Sequence, residues 1–302
     1  METKISILLL SSNTYPSVRN SKIQKKIFYN QKIKLKHIYW YKQGSPKILQ
    51  NSEALLEGKN LFINADDSST GMGMKTIKAF EWIINNTNSD YIFRTNTSSY
   101  VSIENLQKHI NDNFLNKDYV YSGKIHSTKD KNNNEISFAS GSGYLLNRKT
   151  IELVIEKQNE WQHEYWDDVS LGILLKKYEI LPTDAKRFDI KGNIYKQEID
   201  LTSFHYRCRI DNYYKYPRFL EYFVLRNLNK VDLGKKSSLI EDALMNILFE
   251  ISRIFYIQQF TWKLYLIIRA MLKKVFPNFL IEFMKVKFKK QLESFKHKRF
   301  KT

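Results

Sequence analysis

Two adjacent acids, Asp167 and Asp168, stand at the predicted start of a helix in the segment WDDVSLGILLKKYEI (166–180). The positive end of a helix dipole lowers the pKa of a nearby carboxyl group, so such a group is expected to stay ionised at neutral pH. An ionised carboxylate can accept a proton from a substrate hydroxyl group. An acid at this position also caps a helix, which is the structural alternative. The two residues alone leave both roles open.

A short polar loop follows the apolar segment DYIFRT (90–95), which is predicted to be a strand. The loop contains Asn96, Thr97 and Ser98, and the next helix is predicted to begin near Ile103. Neutral side-chain oxygens bind divalent cations less well than carboxylates do, because hard cations favour charged oxygen ligands. The loop therefore has the position of a ligand-binding loop but lacks the acids of a typical metal site.

Alternating strand and helix patterns must position these groups. Apolar runs predict strands, at 5–11, 34–44, 60–66, 90–95 and 118–126. Helical spacing of apolar residues predicts helices between them, at 74–86, from about Ile103, at 150–158 and within 166–180. The polar segment STKDKNNNE (127–135) is predicted to be a hairpin tip or loop. This alternation predicts an α/β fold with helices on both faces of the sheet.

The pattern changes after about residue 210, where successive helices rich in aromatic residues and lysine are predicted. We therefore expect a first domain at 1–210 and a helical region at 211–302. The net charge is +18, and residues 259–302 hold twelve Lys or Arg against two Glu. A helical, basic region favours an anionic membrane surface, although a solvated helix or core packing is the alternative. Nucleic acid is not expected as a partner, since the sequence carries no recognisable RNA- or DNA-binding motif.

The compartment is predicted from the cysteine content and from the first residues. The chain has one cysteine, Cys208, which excludes a disulfide framework and fits a reducing compartment. The apolar run in METKISILLLSS is too short for the core of a signal peptide or for a membrane span. We therefore expect a bacterial protein in the cytoplasm, peripherally associated with the inner face of the membrane.

Five segments, taken in order, resemble those of the β-1,3-galactosyltransferase and Fringe-type group of GT-A glycosyltransferases. They are ILLLSSNTYPSVRNSKIQKKIF (7–28), INADDSSTGMGMKTIKAFEWI (63–83), YIFRTNTSSYV (91–101), FASGSGYLLNRKTIELV (138–154) and YWDDVSLGILLKKYEILP (165–182). The resemblance covers roughly residues 5–185 and rests on the order and spacing of the segments, because each segment alone is weak. It implies a Rossmann-like mixed sheet flanked by helices.

The resemblance also implies the reaction and the residues that serve it. We expect an inverting transferase that moves a sugar from a nucleotide donor, with UDP as the expected nucleotide, to the glycan or glycolipid precursor of a cell-surface polysaccharide. Asp168 matches the second acid of the family's EDV..G segment, the usual general base, and Asp167 lies beside it. The residues that match the donor-side segments are Arg19, Asp67, Lys75, Arg94, Asn96, Thr97 and Ser98.

The acceptor side is matched by the glycine-rich segment SGSGY (140–144). Its spacing fits neither a P-loop nor a dinucleotide-binding fingerprint. We expect Gly141 and Gly143 to allow close backbone approach to a sugar or to a neighbouring strand. Trp161, Tyr165 and Trp166 precede the two acids and are suited to stacking on an acceptor sugar, with core packing as the equal alternative.

The departing diphosphate is where this sequence differs from the family. The family holds Mn²⁺ or Mg²⁺ with aspartates at the positions of Asn96, Thr97 and Ser98, and the metal stabilises the leaving group. One interpretation is that fixed cations replace the metal. The candidate cations are Arg19, Lys75, Arg94, Arg207 and Arg209, of which Arg94 is as well explained by a structural role.

Two further features bear on the metal. The pair Asp66 and Asp67 is a weaker candidate for a displaced metal site, and His205 is the best candidate for a late metal-binding histidine. A lone histidine without an acidic partner is more often a hydrogen-bonding residue. The second hypothesis for the whole protein is that catalysis has been lost, leaving a non-catalytic relative that assists a partner transferase.

Overall fold

The computed structural model describes residues 3–68, 70–129, 131, 133–211, 216–235 and 237–257. The chain divides into two compact units, Met1–Glu250 and Ile251–Thr302, and the fold below is that of the first unit. The predicted boundary at residue 210 stays a prediction. Among the described residues, no helix is long and apolar enough to cross a membrane.

The described strands form one large mixed sheet and one small sheet. They are β1 (Ile5–Leu10), β2 (His37–Gln43), β3 (Ala54–Glu57), β4 (Asn60–Ile63), β5 (Tyr91–Asn96), β6 (Ser99–Val101), β7 (Tyr121–Lys129), β8 (Glu135–Asn147), β9 (Thr183–Asp184), β10 (Arg187–Asp189) and β11 (His205–Arg207). The large sheet has the order β3-β4-β2-β1-β5-β8-β7-β9, and the small sheet has the order β10-β11-β6. β1 pairs in parallel with β2 and β5, whereas β8 pairs antiparallel with β5 and β7.

Helices cover both faces of the large sheet, which confirms the predicted mixed α/β architecture. The described α-helices are α1 (Ser17–Asn30), α2 (Pro46–Leu49), α3 (Gly71–Asn86), α4 (Ile103–Asn113), α5 (Arg148–Glu156), α6 (Asp167–Lys177), α7 (Glu221–Asp232) and α8 (Leu239–Ile257). Apolar residues of α3, α5 and α6 share one core, and those of α1 and α4 share a second core on the other face. β1 is buried along almost its whole length, as expected of a central strand that is covered on both faces.

A third core joins the C-terminal part of the first unit to the small sheet. Ile23 and Ile27 of α1 pack in it with Val224 and Leu228 of α7 and with Tyr206 of β11. This packing holds the start of α7 beside the loop that follows β5. Residues 258–302, which carry all of the basic excess counted for membrane binding, lie outside the described residues.

The hairpin formed by β7 and β8 extends into the polar segment that was predicted to be its tip. β7 ends at Lys129 and β8 begins at Glu135, since an antiparallel ladder is made by backbone groups and does not require apolar side chains. The ladder is interrupted in its middle. Gly123 pairs with Tyr144 and Ile125 pairs with Ala139, so residues 140–143 of β8 lie opposite the single residue Lys124. This interruption is the β8 bulge, which consists of residues 140–143.

Candidate active site

The β8 bulge brings three parts of the chain together at Gly141. The backbone N–H of Gly141 donates a hydrogen bond to Asp168 Oδ2 at 2.6 Å. The carbonyl oxygen of the same residue accepts hydrogen bonds from Arg94 Nη1 and from Asn96 Nδ2, the latter at 3.4 Å. The carboxylate at the start of α6 and the polar loop after β5 are therefore joined through one residue of β8.

Asp168 lies half-buried at the start of α6. Its Oδ1 accepts a hydrogen bond from the backbone N–H of Val169 at 3.0 Å. Burial raises the pKa of Asp168, and the neighbouring charge of Asp167 raises the pKa further. The expectation that the helix N-terminus would lower this pKa is wrong, because desolvation and Asp167 outweigh the stabilising N–H groups. A raised pKa makes the ionised carboxylate a stronger base.

Asp167 has a different environment, although it is the next residue. It is buried, and its Oδ2 accepts hydrogen bonds from Arg94 Nη2 and from Thr76 Oγ1, the latter at 3.1 Å. Arg94 is buried as well and also donates to the hydroxyl oxygen of Tyr41 at 2.9 Å. These contacts favour a structural role for Arg94 and for Asp167, although Asp167 fills it through an ion pair and does not cap α6. Their predicted roles in donor binding and catalysis stay predictions.

The polar loop after β5 makes its hydrogen bonds within the protein. Asn96 Oδ1 accepts from the backbone N–H of Ser98 at 2.9 Å, and the hydroxyl groups of Thr97 and Ser17 lie 3.1 Å apart. Ser98 Oγ donates to Glu221 Oε2 at 2.7 Å. The sequence predicted where this loop lies, and the structure adds that a carboxylate from α7 reaches it.

Arg218 and Glu221 are residues that the sequence reasoning missed. Arg218 Nη2 donates to Ser98 Oγ at 2.9 Å, and its Nε donates to Glu221 Oε1 at 2.7 Å. Glu221 is fully buried and also accepts from Asn20 Nδ2 at 2.8 Å. An arginine and a glutamate three residues apart at a helix start are common, and nothing in the sequence links them to a loop more than a hundred residues earlier.

The loop does not fit a divalent metal ion of the kind that the family uses. The side chains of Asn96, Thr97 and Ser98 are neutral, and the guanidinium group of Arg218 already lies against Ser98. The nearby acids are engaged as well: the oxygens of Glu221 accept from Arg218, Ser98 and Asn20, and Asp211 pairs with Arg209 and lies 3.7 Å from Arg218 Nε. Within the described ranges, no group of three or more His, Cys, Asp or Glu could hold a metal ion.

His205, the predicted metal ligand, is buried on β11. Its Nε2 lies 3.2 Å from Ser99 Oγ, and it also interacts with the backbone of Ser142. Burial, and after it the positive charge of Arg187, lower the pKa of His205 to about 3, so the ring is neutral. This environment favours the hydrogen-bonding alternative, and metal ligation by His205 stays a prediction.

Asp66 and Asp67, the weaker candidate for a metal site, each bind a different protein group. Asp66 Oδ1 accepts hydrogen bonds from the backbone N–H and the hydroxyl group of Ser68, which lower the pKa of Asp66. Asp67 forms an ion pair with the buried amino group of Lys75. The pairing of Asp67 with Lys75 agrees with their neighbouring positions in the family motif, and their predicted roles in donor binding stay predictions.

Three arginines lie in or just after the small sheet, and one of them, Arg187, contacts the β8 bulge. Arg187 forms a bidentate ion pair with Asp189, at 2.8 and 3.0 Å, and donates to the hydroxyl groups of Ser140 and Ser142. Burial lowers the pKa of Arg207, and the charge of Arg187 lowers it further. Arg209 is paired with Asp211 at 2.8 Å. Arg207 and Arg209 were candidate cations in the sequence analysis, whereas Arg187 was not predicted.

The other residues predicted for the donor and acceptor sides differ in burial and in the groups they contact. The guanidinium group of Arg19 stacks on the ring of Tyr222 at 4.2 Å. Trp161 is buried in the core that includes α3 and α6, whereas Trp166 keeps 59% of its surface exposed beside the two acids. A Cβ atom on Gly143 would lie 2.5 Å from Cε1 of His205. Gly143 therefore allows close packing of a side chain from a neighbouring strand, one of the two expectations for this glycine.

Comparison with known proteins agrees with the resemblance seen in the motifs. Residues 43–186 match the model of the Galactosyltransferase family. A UDP-GalNAc:beta-1,3-N-acetylgalactosaminyltransferase 2 from Xenopus laevis is 21% identical over 143 residues, which cover 41% of this chain and 29% of that protein. The chain thus matches less than a third of the length of that relative.

Solved structures with similar folds have low identities and low TM-scores. A glycosyltransferase involved in the glycosylation of the major capsid of PBCV-1 is 11% identical, with a TM-score of 0.39 and coverage of 73% of this chain and 99% of that chain. The glycosyltransferase GlyE of Streptococcus pneumoniae is 14% identical, with a TM-score of 0.39 and coverage of 78% and 66%. These likenesses add nothing to the assignment of a function.

Proposed function

Residues 43–186 belong to the β-1,3-galactosyltransferase-like family of GT-A glycosyltransferases, and from this premise we propose that the protein is an inverting glycosyltransferase. Its donor is a nucleotide sugar, with UDP as the proposed nucleotide, and its acceptor is the hydroxyl group of a glycan or glycolipid precursor. The observation that carries the proposal is the position of Asp168, which is half-buried, has a raised pKa and is joined to the donor-side loop through Gly141.

Asp168 acts as the general base in this proposal. Its carboxylate takes the proton of the acceptor hydroxyl group, and the oxygen of that group attacks the anomeric carbon. The bond between the anomeric carbon and the diphosphate breaks, and its electron pair leaves with the diphosphate oxygen. Attack opposite the leaving group inverts the anomeric centre.

The residues around Asp168 divide into a donor side and an acceptor side. We assign the donor to the loop of Asn96, Thr97 and Ser98, together with the matched side chains Arg19, Asp67 and Lys75. The acceptor side consists of Gly141, Gly143 and Trp166. The exposure of Trp166 next to Asp168 supports this assignment, since an exposed aromatic face can stack on a sugar ring.

The activity is tested by incubating the purified protein with a panel of nucleotide sugars and a glycan acceptor mixture, with and without EDTA, and by following release of the nucleotide diphosphate. We expect turnover with at least one donor, and we expect it to survive EDTA. Asp168→Asn removes the base and should lower kcat by at least ~100-fold while circular dichroism stays unchanged.

The same experiment decides between the enzyme and the non-catalytic hypothesis. Absence of turnover with every donor, together with nucleotide binding in calorimetry, would support a protein that assists a partner transferase. Absence of turnover with every donor would overturn the proposed function whether or not nucleotide binds, and absence of nucleotide binding as well would also contradict the proposed donor site.

We also propose that the protein binds peripherally to the cytoplasmic face of a membrane. The support is the excess of basic residues in 259–302, where twelve Lys or Arg stand against two Glu. An anionic lipid surface attracts such a segment electrostatically.

A further inference from the structure

The loop of Asn96, Thr97 and Ser98 is contacted by a cation from far along the chain. Arg218 Nη2 donates to Ser98 Oγ at 2.9 Å. We propose that Arg218 is a fixed cation that binds the diphosphate of the nucleotide donor at this loop, so that the site takes a diphosphate without a divalent metal ion. The inference deepens the proposed function and rests on it.

Arg218 is held in one orientation by a buried carboxylate. Glu221 Oε1 accepts from Arg218 Nε at 2.7 Å, and Glu221 Oε2 accepts from Arg218 Nη2 at 3.3 Å. Asn20 Nδ2 donates to the same Oε2 at 2.8 Å, and Glu221 is fully buried. A guanidinium group that is already ordered loses less conformational entropy when it binds a ligand. Glu221 is therefore a positioning residue for Arg218.

Arg218 keeps hydrogen-bond donors for a ligand. A guanidinium group has five N–H donors, and those on Nε and Nη2 are used by Glu221 and Ser98. Nη1 makes no hydrogen bond to any residue that the structure describes, and the side chain is 31% exposed. Planar guanidinium groups bind phosphate oxygens with charge-assisted hydrogen bonds. The donors on Nη1 are the ones assigned to the diphosphate.

The surroundings of Arg218 favour an anion over a metal ion. The guanidinium group repels a divalent cation at Ser98. The two carboxylates beside it are paired within the protein, Glu221 with Arg218, Ser98 and Asn20, and Asp211 with Arg209 and, at 3.7 Å, with Arg218. Arg19 adds positive charge near the start of α7, because its guanidinium group stacks on the ring of Tyr222, the residue after Glu221, at 4.2 Å.

The position of Arg218 also suits the proposed reaction. Ser98 follows Asn96, whose Nδ2 donates to Gly141 O at 3.4 Å, and the N–H of Gly141 contacts Asp168 at 2.6 Å. The diphosphate site and the proposed base thus flank one residue of β8. A sugar held between them would have its anomeric carbon near both the base and the leaving group.

The test measures binding of inorganic pyrophosphate and of UDP to the full-length protein by calorimetry in EDTA. Arg218→Gln with Glu221→Gln removes both charges together and replaces this ion pair by two amides. Asp211, which lies 3.7 Å from Arg218 Nε, keeps its ion pair with Arg209 at 2.8 Å, so the double variant leaves no carboxylate buried without a partner. We expect pyrophosphate and UDP to bind roughly 10- to 100-fold more weakly to this double variant, while uridine binds as it does to the wild type. If uridine binding is lost as well, Arg218 and Glu221 have only a structural role, and the inference is overturned.

Matched variants keep the test decisive. Arg226→Gln removes one positive charge from an exposed position of α7, the helix that begins three residues after Arg218, and should leave both affinities within about twofold of the wild type, since exposed charges have weak, screened effects. Arg218→Lys keeps the charge beside Glu221 and loses the planar donors, so it should weaken pyrophosphate binding severalfold. If the double variant does not fold, the pyrophosphate affinity of Arg218→Lys tests whether Arg218 binds the diphosphate.

Two outcomes would overturn the inference while leaving the proposed function intact. In the first, the wild type turns over a nucleotide sugar, but the folded Arg218 variants bind pyrophosphate and UDP with the affinity of the wild type. The other is turnover that requires Mn²⁺ or Mg²⁺, with no pyrophosphate binding in EDTA. The proposed function fails separately, when no nucleotide sugar is turned over by the wild type.

Discussion

Asp167 and Asp168 differ because one carboxylate faces a buried cation and the other faces backbone N–H groups. Asp167 is fixed by Arg94 and Thr76 in the interior. Asp168 contacts Gly141 N and Val169 N and keeps part of its surface exposed. Of the two, therefore, Asp168 has the environment of a proton acceptor, and Asp167 stabilises the arrangement that presents it.

The first prediction concerns the buried ion pair between Asp167 and Arg94. Asp167→Asn leaves the charge of Arg94 buried without its counter-ion, which should lower the free energy of unfolding by about 3–5 kcal/mol. The measurement is urea denaturation. Asp118→Asn is the control, because Asp118 pairs with Lys149 at the surface and its loss should cost less than about 1 kcal/mol. Equal stability of the two variants would contradict the structural role of Asp167.

The second prediction uses the raised pKa of Asp168. An acid whose pKa is higher in the folded than in the unfolded protein stabilises the fold while it is protonated, and this contribution is lost as pH rises between the two pKa values. Asp168→Asn removes the titrating group. The variant should therefore gain stability relative to the wild type between acidic and neutral pH, as measured by denaturation at each pH.

The same pKa sets the pH dependence of activity. The acidic limb of kcat/KM should lie above the ordinary aspartate pKa of about 3.9, because Asp168 must be ionised to accept a proton. A stability difference between wild type and variant that does not change with pH would mean that the pKa of Asp168 is not raised.

At the level of elements, the β8 bulge organises the site. Residues 140–143 depart from the regular ladder with β7, so that Gly141 offers its N–H to α6 and its carbonyl oxygen to Arg94 and Asn96 of β5. A regular strand would use the same backbone groups for pairing with its neighbours. The bulge frees them to hold Asp168, Arg94 and Asn96.

The third prediction tests the bulge through Gly141. A Cβ atom at this position would lie 2.9 Å from Asp168 Oδ2, so Gly141→Ala should displace the carboxylate from its hydrogen bond. We expect kcat to fall by at least ~tenfold, since small misplacements of a catalytic group are costly. Ser140→Ala is the control from the same bulge, because its hydroxyl group contacts Arg187 and not Asp168. An unchanged kcat in Gly141→Ala would show that catalysis does not depend on the position of the Asp168 carboxylate.

The sequence predicted the elements better than it predicted their contacts. Apolar runs located β1, β5 and the loop after β5, and the helical spacing of Ile77, Phe80 and Ile83 located α3. Periodicity reports which face of an element is buried. It does not report that Arg218 and Glu221 reach Ser98, because that contact depends on how α7 packs against α1. The β8 bulge was missed for a related reason, since the two glycines of SGSGY suit a loop as well as an interrupted strand.

At the scale of the whole molecule, the described first unit and the basic residues near the end of the sequence have different proposed tasks. The first unit holds the loop, the bulge and the acids, and α7 belongs to it through Glu221. The helical region predicted at 211–302 therefore contributes residues to the candidate site as well as the proposed membrane-binding charge.

The fourth prediction tests the proposed binding to an anionic membrane surface. The full-length protein should sediment with phosphatidylserine-containing vesicles and not with neutral phosphatidylcholine vesicles, and binding should fall as salt is raised. Changing four C-terminal lysines to glutamine should weaken binding at least ~tenfold, given about 1 kcal/mol for each lysine near the surface; the four are Lys285, Lys287, Lys289 and Lys290.

A charge-matched control separates a local effect from that of net charge. It changes four exposed lysines of the first unit to glutamine, namely Lys26, Lys36, Lys108 and Lys117. Both variants lose the same total charge, so a long-range effect of net charge would weaken both equally. If the C-terminal lysines contact the lipid, the control variant should bind vesicles nearly as well as the wild type. Equal loss in both variants, or binding to neutral vesicles that is insensitive to salt, would contradict a membrane-binding role for residues 259–302.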